Sequence, residues 1–161
     1  MGDSHRVEVV RGRLSDERAQ QLLALWSAHG ALAGEAARRR LPQVVALLLD
    51  DADGVVGACS VFADSVPLIG GRRFWMYRRF VAPGVPDDAE AALLLAAIGA
   101  LEDERGEGPD APLGVCVVVD DVEAMRRRPE AIWPDTLMFY AGYLPDGSQV
   151  RIRYFADARI A

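Results

Sequence analysis

The chain has 161 residues, a hydrophobic content of 51% and a formal net charge of -6. This apolar content argues against disorder, and the length predicts one domain, residues 1–161, with a sizeable core. The negative charge argues against nucleic-acid binding. No run approaches the roughly 18 consecutive apolar residues of a membrane span.

The two cysteines, Cys59 and Cys116, each lie within an apolar run that is typical of a strand. Such positions favour buried, reduced thiols, which predict a cytoplasmic protein. The first six residues lack the apolar core of a signal peptide, in agreement with that prediction. His5, His29 and the scattered carboxylates show no metal-binding spacing, so no metal site is predicted.

The N-terminal part of the chain predicts a strand, two helices and a pair of strands. Residues 7–10 form a short strand, and Ser15 then caps a helix whose apolar positions recur at helical spacing. A second short helix covers residues 33–40 and ends before a proline. An acidic turn ending in Asp-Gly separates the apolar runs Val44–Leu49 and Val55–Val66, which predicts an antiparallel hairpin.

The central unit of the chain is a strand, a Pro/Gly turn and one long helix. Aromatic, β-favouring residues predict the strand at 74–81, and the Ala- and Leu-rich run at 89–103 predicts the helix. Asp87 and Asp88 supply its N-cap and first-turn acids. Because another buried strand follows at 113–119, the unit predicts a right-handed βαβ crossover with two parallel strands.

The C-terminal part adds a short helix and a closing hairpin. Residues 120–121 cap a helix that ends at Arg128, and strands at 137–144 and 148–155 flank a Pro-Asp-Gly turn. The chain is therefore predicted to be an α/β domain with a mixed sheet. That sheet combines an antiparallel meander, the βαβ crossover and the C-terminal hairpin.

Two short segments and the order of elements resemble a known superfamily. Residues 80–83, Phe-Val-Ala-Pro, precede a loop and an Ala/Leu helix, and residues 139–143, Phe-Tyr-Ala-Gly-Tyr, form a late aromatic-Gly-aromatic strand. With the order β, α, α, β, β, β, α, β, α, β, β, they are similar to the Gcn5-related N-acetyltransferase (GNAT) superfamily. The resemblance implies a GNAT-like fold, an acetyl-CoA or other acyl-CoA cofactor, and a small-molecule substrate whose amine attacks the thioester.

In that family the loop after the fourth strand reads Arg/Gln-x-x-Gly-x-Gly/Ala, and its N–H groups hold the cofactor's pyrophosphate. The resemblance places the cofactor-binding positions at Val81, Asp88, Ala89 and Ala91. The loop's three defined positions fall on Pro86, Ala89 and Ala91, of which only Ala91 matches. The proline lacks an N–H, the Ala89 methyl crowds the backbone, and the two adjacent aspartates repel a diphosphate, so a degenerate loop is predicted. Plain helix capping is the alternative role of these aspartates.

The fold implied by the resemblance places a pocket where the two parallel strands splay apart. The predicted substrate-binding residues are Trp75, Tyr77, Arg78, Arg79 and Tyr143. Arg78 and Arg79 point to opposite faces of their strand, and a bare buried charge is costly. At least one of these arginines is therefore expected to face a polar pocket, unless both reach solvent past incomplete helix coverage.

Tyr140 and Cys116 are the predicted catalytic residues. The family's general acid is often a tyrosine in this region, but the commoner position, four residues before the glycine, is Met138 here. A core or interface aromatic is the alternative role for Tyr140. Cys116 would need a nearby base to become a nucleophile, and the pattern places neither histidine beside it.

Two groups of arginines have alternative roles. The run at residues 38–40 ends a helix, where cations are favourable, and would otherwise form an anion site. Gln149, Arg151 and Arg153 share one face of the last strand, which is typical of solvent or a subunit interface. They would otherwise bind a carboxylate or phosphate.

The leading functional hypothesis is a divergent GNAT-fold protein that acts on a small molecule and is acyltransferase-like if it still binds acyl-CoA. The first alternative is an enzyme of another reaction type, such as a lyase or cyclase, that does not use CoA. The second alternative is a non-catalytic binding or scaffold protein. Neither nucleic acid nor a membrane is an expected partner, and homodimer formation is left open.

Overall fold

The computed structural model describes residues 4–158, which form seven strands and four helices. The strands are β1 (Arg6–Val9), β2 (Val44–Leu49), β3 (Val55–Val66), β4 (Arg72–Val81), β5 (Gly114–Val119), β6 (Phe139–Tyr143) and β7 (Gln149–Tyr154). The helices are α1 (Asp16–Ala28), α2 (Gly34–Arg40), α3 (Asp87–Asp103) and α4 (Val122–Arg127). Each predicted element is present close to its predicted bounds, which confirms the α/β class. None of the helices within this described range is long and apolar enough to cross a membrane.

The strands form one mixed sheet in the order β1-β2-β3-β4-β5-β7-β6. Strands β4 and β5 are parallel, as predicted, with Trp75 opposite Val115 and Tyr77 opposite Val117. The β6–β7 hairpin is antiparallel, as predicted, and its second strand, β7, is the one that pairs with β5. Burial explains why β7 lies between β5 and β6. This strand pairs on both sides, and its side chains Val150 and Ile152 are buried in the core.

The chain divides into two compact units whose boundaries fall inside strands β3 and β4 and helix α3. The first unit comprises the described residues up to 61 together with residues 78–100. The second comprises residues 62–77 and the described residues from 101 onward. The single domain predicted over residues 1–161 stays a prediction.

Helix α1 and strand β2 form the core of the first unit. Ser15 caps the helix, since its Oγ accepts a hydrogen bond from the Arg18 N–H at 3.2 Å. Leu22 and Trp26, one turn apart, are buried in the same apolar cluster as β2, all of whose residues are buried. The helical spacing of these apolar residues therefore fixes which face of α1 packs on the sheet.

Strands β4, β5 and β7 form the core of the second unit. Phe74, Cys116 and Ile152 are buried in one apolar cluster, and the Phe74 ring meets the edge of the Tyr154 ring at 5.3 Å between centroids. Gly114 begins β5 opposite Tyr154 of β7. A Cβ at Gly114 would lie 2.8 Å from the Tyr154 Cα, so only glycine fits this close approach of two backbones.

Residues 131–133 run alongside the first half of β6. The N–H of Tyr140 donates to the carbonyl of Ala131 at 2.8 Å, and the N–H of Trp133 donates to the carbonyl of Met138 at 2.9 Å. Farther along β6, the pairing with β7 shifts between Tyr140 and Gly142, where Gly142 adopts a φ of 143°. The preceding segment and this bulge together define the outer side of the hairpin.

The solvent-facing interpretation of Gln149 and Arg151 is wrong, because both side chains are buried and Arg151 is only 1% exposed. The segment before β6 covers them. Arg151 lies over the Trp133 ring at 4.3 Å from its centroid, and its Nε donates to Gln149 Oε1 at 2.7 Å. The indole N–H of Trp133 donates to the carbonyl of Arg128 at 3.2 Å, which holds the ring in place. An irregular segment that is distant in sequence thus buries this face.

Candidate functional site

The first unit contains a cavity of about 270 Å³ between α1, the α1–α2 connection, α2, β3 and β4. The residues that line it are Trp26, Ala31, Leu32, Arg40, Ala58, Cys59, Ser60, Arg78, Arg79 and Phe80. Strand β4 reaches the cavity through its last residues, before the turn that leads into α3. The cavity is therefore built on rigid elements rather than on loops alone.

Most of the cavity wall is apolar. Trp26 is buried on α1, and Ala58 and Cys59 are buried on the facing part of β3. Phe80 of β4 contacts the His29 ring, with 5.6 Å between the ring centroids. A wall of this kind excludes water from a bound apolar group and so favours small-molecule binding.

Arg40 and Arg78 bring positive charge into this apolar cavity. Both side chains are partly buried, and burial lowers the pKa of each. The nearby charge of Arg40 lowers the pKa of Arg78 further. Arg78 donates a hydrogen bond to the neutral Gln43 Oε1. No acidic residue is found among those that line the cavity in the described chain.

Arg78 and Arg79 are the two arginines of which at least one was predicted to face a polar pocket. Both residues border the cavity. The guanidinium of Arg79, however, forms an ion pair with Glu90 Oε2 of α3 at 3.1 Å and is largely exposed. Arg79 is therefore engaged by the helix, whereas Arg78 is partly buried beside the cavity and hydrogen-bonded to Gln43.

The other predicted substrate-binding residues do not line this cavity. Trp75 and Tyr77 lie in the second unit, paired with strand β5. Tyr143 is exposed on β6 and meets Tyr140, also exposed, in an edge-on contact with 5.4 Å between ring centroids. The roles predicted for these four residues stay predictions.

Cys116 lies in the apolar core of the second unit. Burial raises the pKa of its thiol to about 12. At neutral pH the side chain is therefore a protonated thiol, which is a poor nucleophile. Sequence reasoning named Cys116 as a site residue and treated Cys59 only as a buried thiol, but Cys59 is the cysteine that borders the cavity.

The N-terminus of α3 is where the predicted cofactor loop would have to hold the diphosphate of an acyl-CoA. The backbone N–H groups of Ala89 and Glu90 donate to the carbonyl of Pro86, at 3.1 and 3.3 Å. Pro86 therefore occupies the N-cap position, one residue before the predicted Asp87. Pro86 has no N–H to offer a phosphate, and the N–H groups of Ala89 and Glu90 are used within the helix.

The charges at this helix end also oppose a diphosphate. Asp87 and Asp88 are exposed in the first turn. One like-charge contact at 4 Å costs on the order of 4 kcal/mol at an effective dielectric of 20, against up to about 1 kcal/mol from the helix dipole. The adjacent cavity of about 400 Å³ is bordered by Asp50 and Asp51 and by no arginine. The residues present do not fit the diphosphate of an acyl-CoA.

Among residues 4–158, no group of three or more His, Cys, Asp or Glu side chains is arranged to hold a metal ion.

The strand order, the parallel β4–β5 pair joined by α3, and the closing hairpin define a GNAT-type fold. The predicted resemblance is thus confirmed at the level of the fold. Similar solved structures include FeeM, an N-acyl amino acid synthase from uncultured soil microbes (TM-score 0.53, 11% identity, 97% of this chain and 93% of FeeM). An acetyltransferase of the GNAT family from Streptococcus pneumoniae gives a TM-score of 0.55 at 9% identity over 95% of this chain and 100% of that chain.

A putative phosphinothricin N-acetyltransferase gives a TM-score of 0.54 at 9% identity, over 96% of this chain and 100% of that one. The sequence matches no protein-family model and no curated protein. At such low identities the structural likeness establishes the fold and leaves the reaction to be argued from the site.

Proposed function

We propose that this protein acts on a small molecule held in the cavity between α1, α2, β3 and β4, and that the reaction is acyltransferase-like if the protein binds acyl-CoA. The observation that carries the proposal is the convergence of Arg40 and Arg78 on a cavity walled by Trp26 and Phe80. A few polar groups in a concave apolar site are the usual form of a small-molecule site. Neighbours in fold described as an acetyltransferase and as an N-acyl amino acid synthase support acyl transfer to such a molecule.

A second candidate function is favoured by the N-terminus of α3. Because Pro86, Asp87 and Asp88 do not fit a diphosphate, the protein would act without CoA. An enzyme of another reaction type, such as a lyase or cyclase, or a non-catalytic binding protein would use the same cavity. The two candidates share the small molecule and differ in the cofactor.

Isothermal titration calorimetry with acetyl-CoA separates the two candidates. From the two acids and the proline at the start of α3, we expect a dissociation constant weaker than about 1 mM. A micromolar constant would contradict this expectation and favour CoA-dependent acyl transfer over the second candidate. The double variant Asp87→Asn with Asp88→Asn is expected to bind acetyl-CoA more tightly than the wild type, because it removes the repulsive charges.

Closing the cavity at its rim tests the small-molecule site itself. Ala31 is exposed and borders the cavity, so Ala31→Trp fills the entrance without disturbing the core. Saturation-transfer NMR with benzyl alcohol as the probe is expected to show binding to the wild type and loss of the signal in Ala31→Trp. Ala36→Trp is the matched control, since Ala36 is exposed on α2 and does not border the cavity. Equal signals in all three proteins would argue that the cavity is not a ligand site.

A further inference from the structure

Ser60 is the one polar residue that is buried in the described part of the first unit. Its side chain is 4% exposed, and its neighbours along β3, Cys59 and Val61, are buried as well. On strand β2 it is opposite Val44, which belongs to the apolar cluster that packs against α1. Because directly paired residues of adjacent strands share a face, Ser60 lies on the face of the sheet that the helices cover.

The Ser60 hydroxyl makes no hydrogen bond with any residue of the described range 4–158. A buried hydroxyl without a partner is unfavourable, because it has exchanged its hydrogen bonds to water for none. Ser60 borders the cavity of the first unit, as do the apolar side chains of Trp26 and Phe80. A ligand in the cavity can therefore supply the partner that the protein does not.

The other polar groups of the cavity wall determine which kind of group suits Ser60. Arg40 carries hydrogen-bond donors only, and the described residues that line the cavity include no carboxylate. A serine hydroxyl can donate or accept. A ligand group that donates, such as an ammonium, would share the cavity with a guanidinium of the same charge. An oxygen that accepts is therefore the group that suits both Ser60 and Arg40.

Size and the apolar wall define the remainder of the ligand. The cavity volume is about 270 Å³. Ligand pockets usually measure about 300–1,000 Å³, so a nucleotide-sized molecule does not fit. Trp26, Leu32 and Phe80 present apolar surface, which favours a ligand body of the same kind. The cavity therefore suits a compact apolar or aromatic body with a single polar end.

We infer that Ser60 selects the ligand of this cavity, a small molecule with an apolar or aromatic body and one carbonyl or hydroxyl oxygen. The Ser60 hydroxyl donates a hydrogen bond to that oxygen, and the body packs against Trp26 and Phe80. This inference rests on the proposed function, since it names the class of molecule on which the protein acts. It does not depend on whether acyl-CoA is the cofactor.

Acetophenone and ethylbenzene are a suitable pair of probes, since only acetophenone carries an oxygen. In NMR titrations, we expect Ser60→Ala to weaken acetophenone about fivefold, as for the loss of one neutral hydrogen bond, and to leave ethylbenzene within about twofold. Ser65→Ala is the matched control, because Ser65 is exposed on the same strand and does not border the cavity. Benzylamine, an ammonium of similar size, is expected to bind the wild type at least about tenfold more weakly than acetophenone.

The stability of Ser60→Ala without ligand separates this role from a structural one. A hydroxyl that bonds no protein group does not stabilise the fold, so the urea midpoint is expected to equal or exceed that of Ser65→Ala. The control carries the same change in strand propensity. A midpoint below that of the control would mean that the Ser60 hydroxyl has a partner in the protein, and would overturn the inference.

Three binding results would also overturn it. They are unchanged acetophenone affinity in Ser60→Ala, equal losses for acetophenone and ethylbenzene, and a benzylamine affinity equal to that of acetophenone. If a probe still binds in a manner that Ala31→Trp abolishes, the small-molecule site stands and only the assignment to Ser60 fails. If no probe binds in that manner, both the site and the assignment fail.

Discussion

Replacing Gly114 by alanine is expected to lower the free energy of unfolding by about 3 kcal/mol, at the upper end of the usual cost of overpacking. A Cβ at this position would overlap the carbonyl oxygen of Arg153 and lie 2.8 Å from the Tyr154 Cα. These are backbone atoms of the paired strand β7, so no side chain can rotate to make room. The β5–β7 ladder would have to shift as a whole.

Urea unfolding followed by circular dichroism measures this effect, and Gly99→Ala is its matched control. Gly99 lies exposed in α3, and a Cβ there would meet nothing within 4 Å. Alanine favours a helix interior by about 1 kcal/mol over glycine, so the control is expected to stabilise the protein. The same substitution should thus have opposite signs at the two sites. An unchanged unfolding midpoint in Gly114→Ala would mean that β5 and β7 do not approach so closely.

The buried thiol of Cys116 predicts a loss of stability in alkali. Burial raises its pKa from 9.0 to about 12, so between these values the folded state keeps a proton that the unfolded chain releases. Stability is therefore unaffected below about pH 9 and decreases as the pH rises above it. The contribution of this one group at pH 10.5, relative to pH 8, is a loss of about 2 kcal/mol.

The difference between wild type and Cys116→Ala isolates that contribution. Unfolding free energies at pH 8, 9.5 and 10.5 should fall more steeply in the wild type, and tyrosines and the second cysteine cancel in the comparison. Parallel pH profiles would mean that the thiol ionises normally in the folded protein. That result would restore Cys116 as a candidate nucleophile, because a thiolate would then be accessible near neutral pH.

Local patterns in the sequence predicted most of the fold, and long-range pairing accounts for the rest. The strand, turn and helix around Asp87 were predicted because apolar periodicity, proline and capping acids all lie within one short stretch. The insertion of β7 between β5 and β6 could not be read in that way. The strand order depends on which strand of the hairpin pairs with β5, here β7 with its buried side chains Val150 and Ile152. No residue close to the hairpin in sequence determines that choice.

The candidate site was predicted only in part for the same reason. At least one of Arg78 and Arg79 was expected to face a polar pocket, because the two point to opposite faces of one strand. Arg40 was considered only as part of the run at 38–40, and which of those three arginines enters the cavity depends on how α2 packs. The burial of Arg151 depends on Trp133, whose segment shows no regular pattern. Tertiary packing, rather than composition or periodicity, decides these positions.

The segment at residues 131–133 has a further consequence for self-association. The carbonyl of Met138 and the N–H of Tyr140 are already occupied along the outer margin of β6. A strand from another molecule laid beside that margin would find no free row of donors and acceptors, and the bulge at Gly142 interrupts the remainder. The first half of β6 therefore cannot pair with a strand of another molecule, which is the step that begins a cross-β fibre.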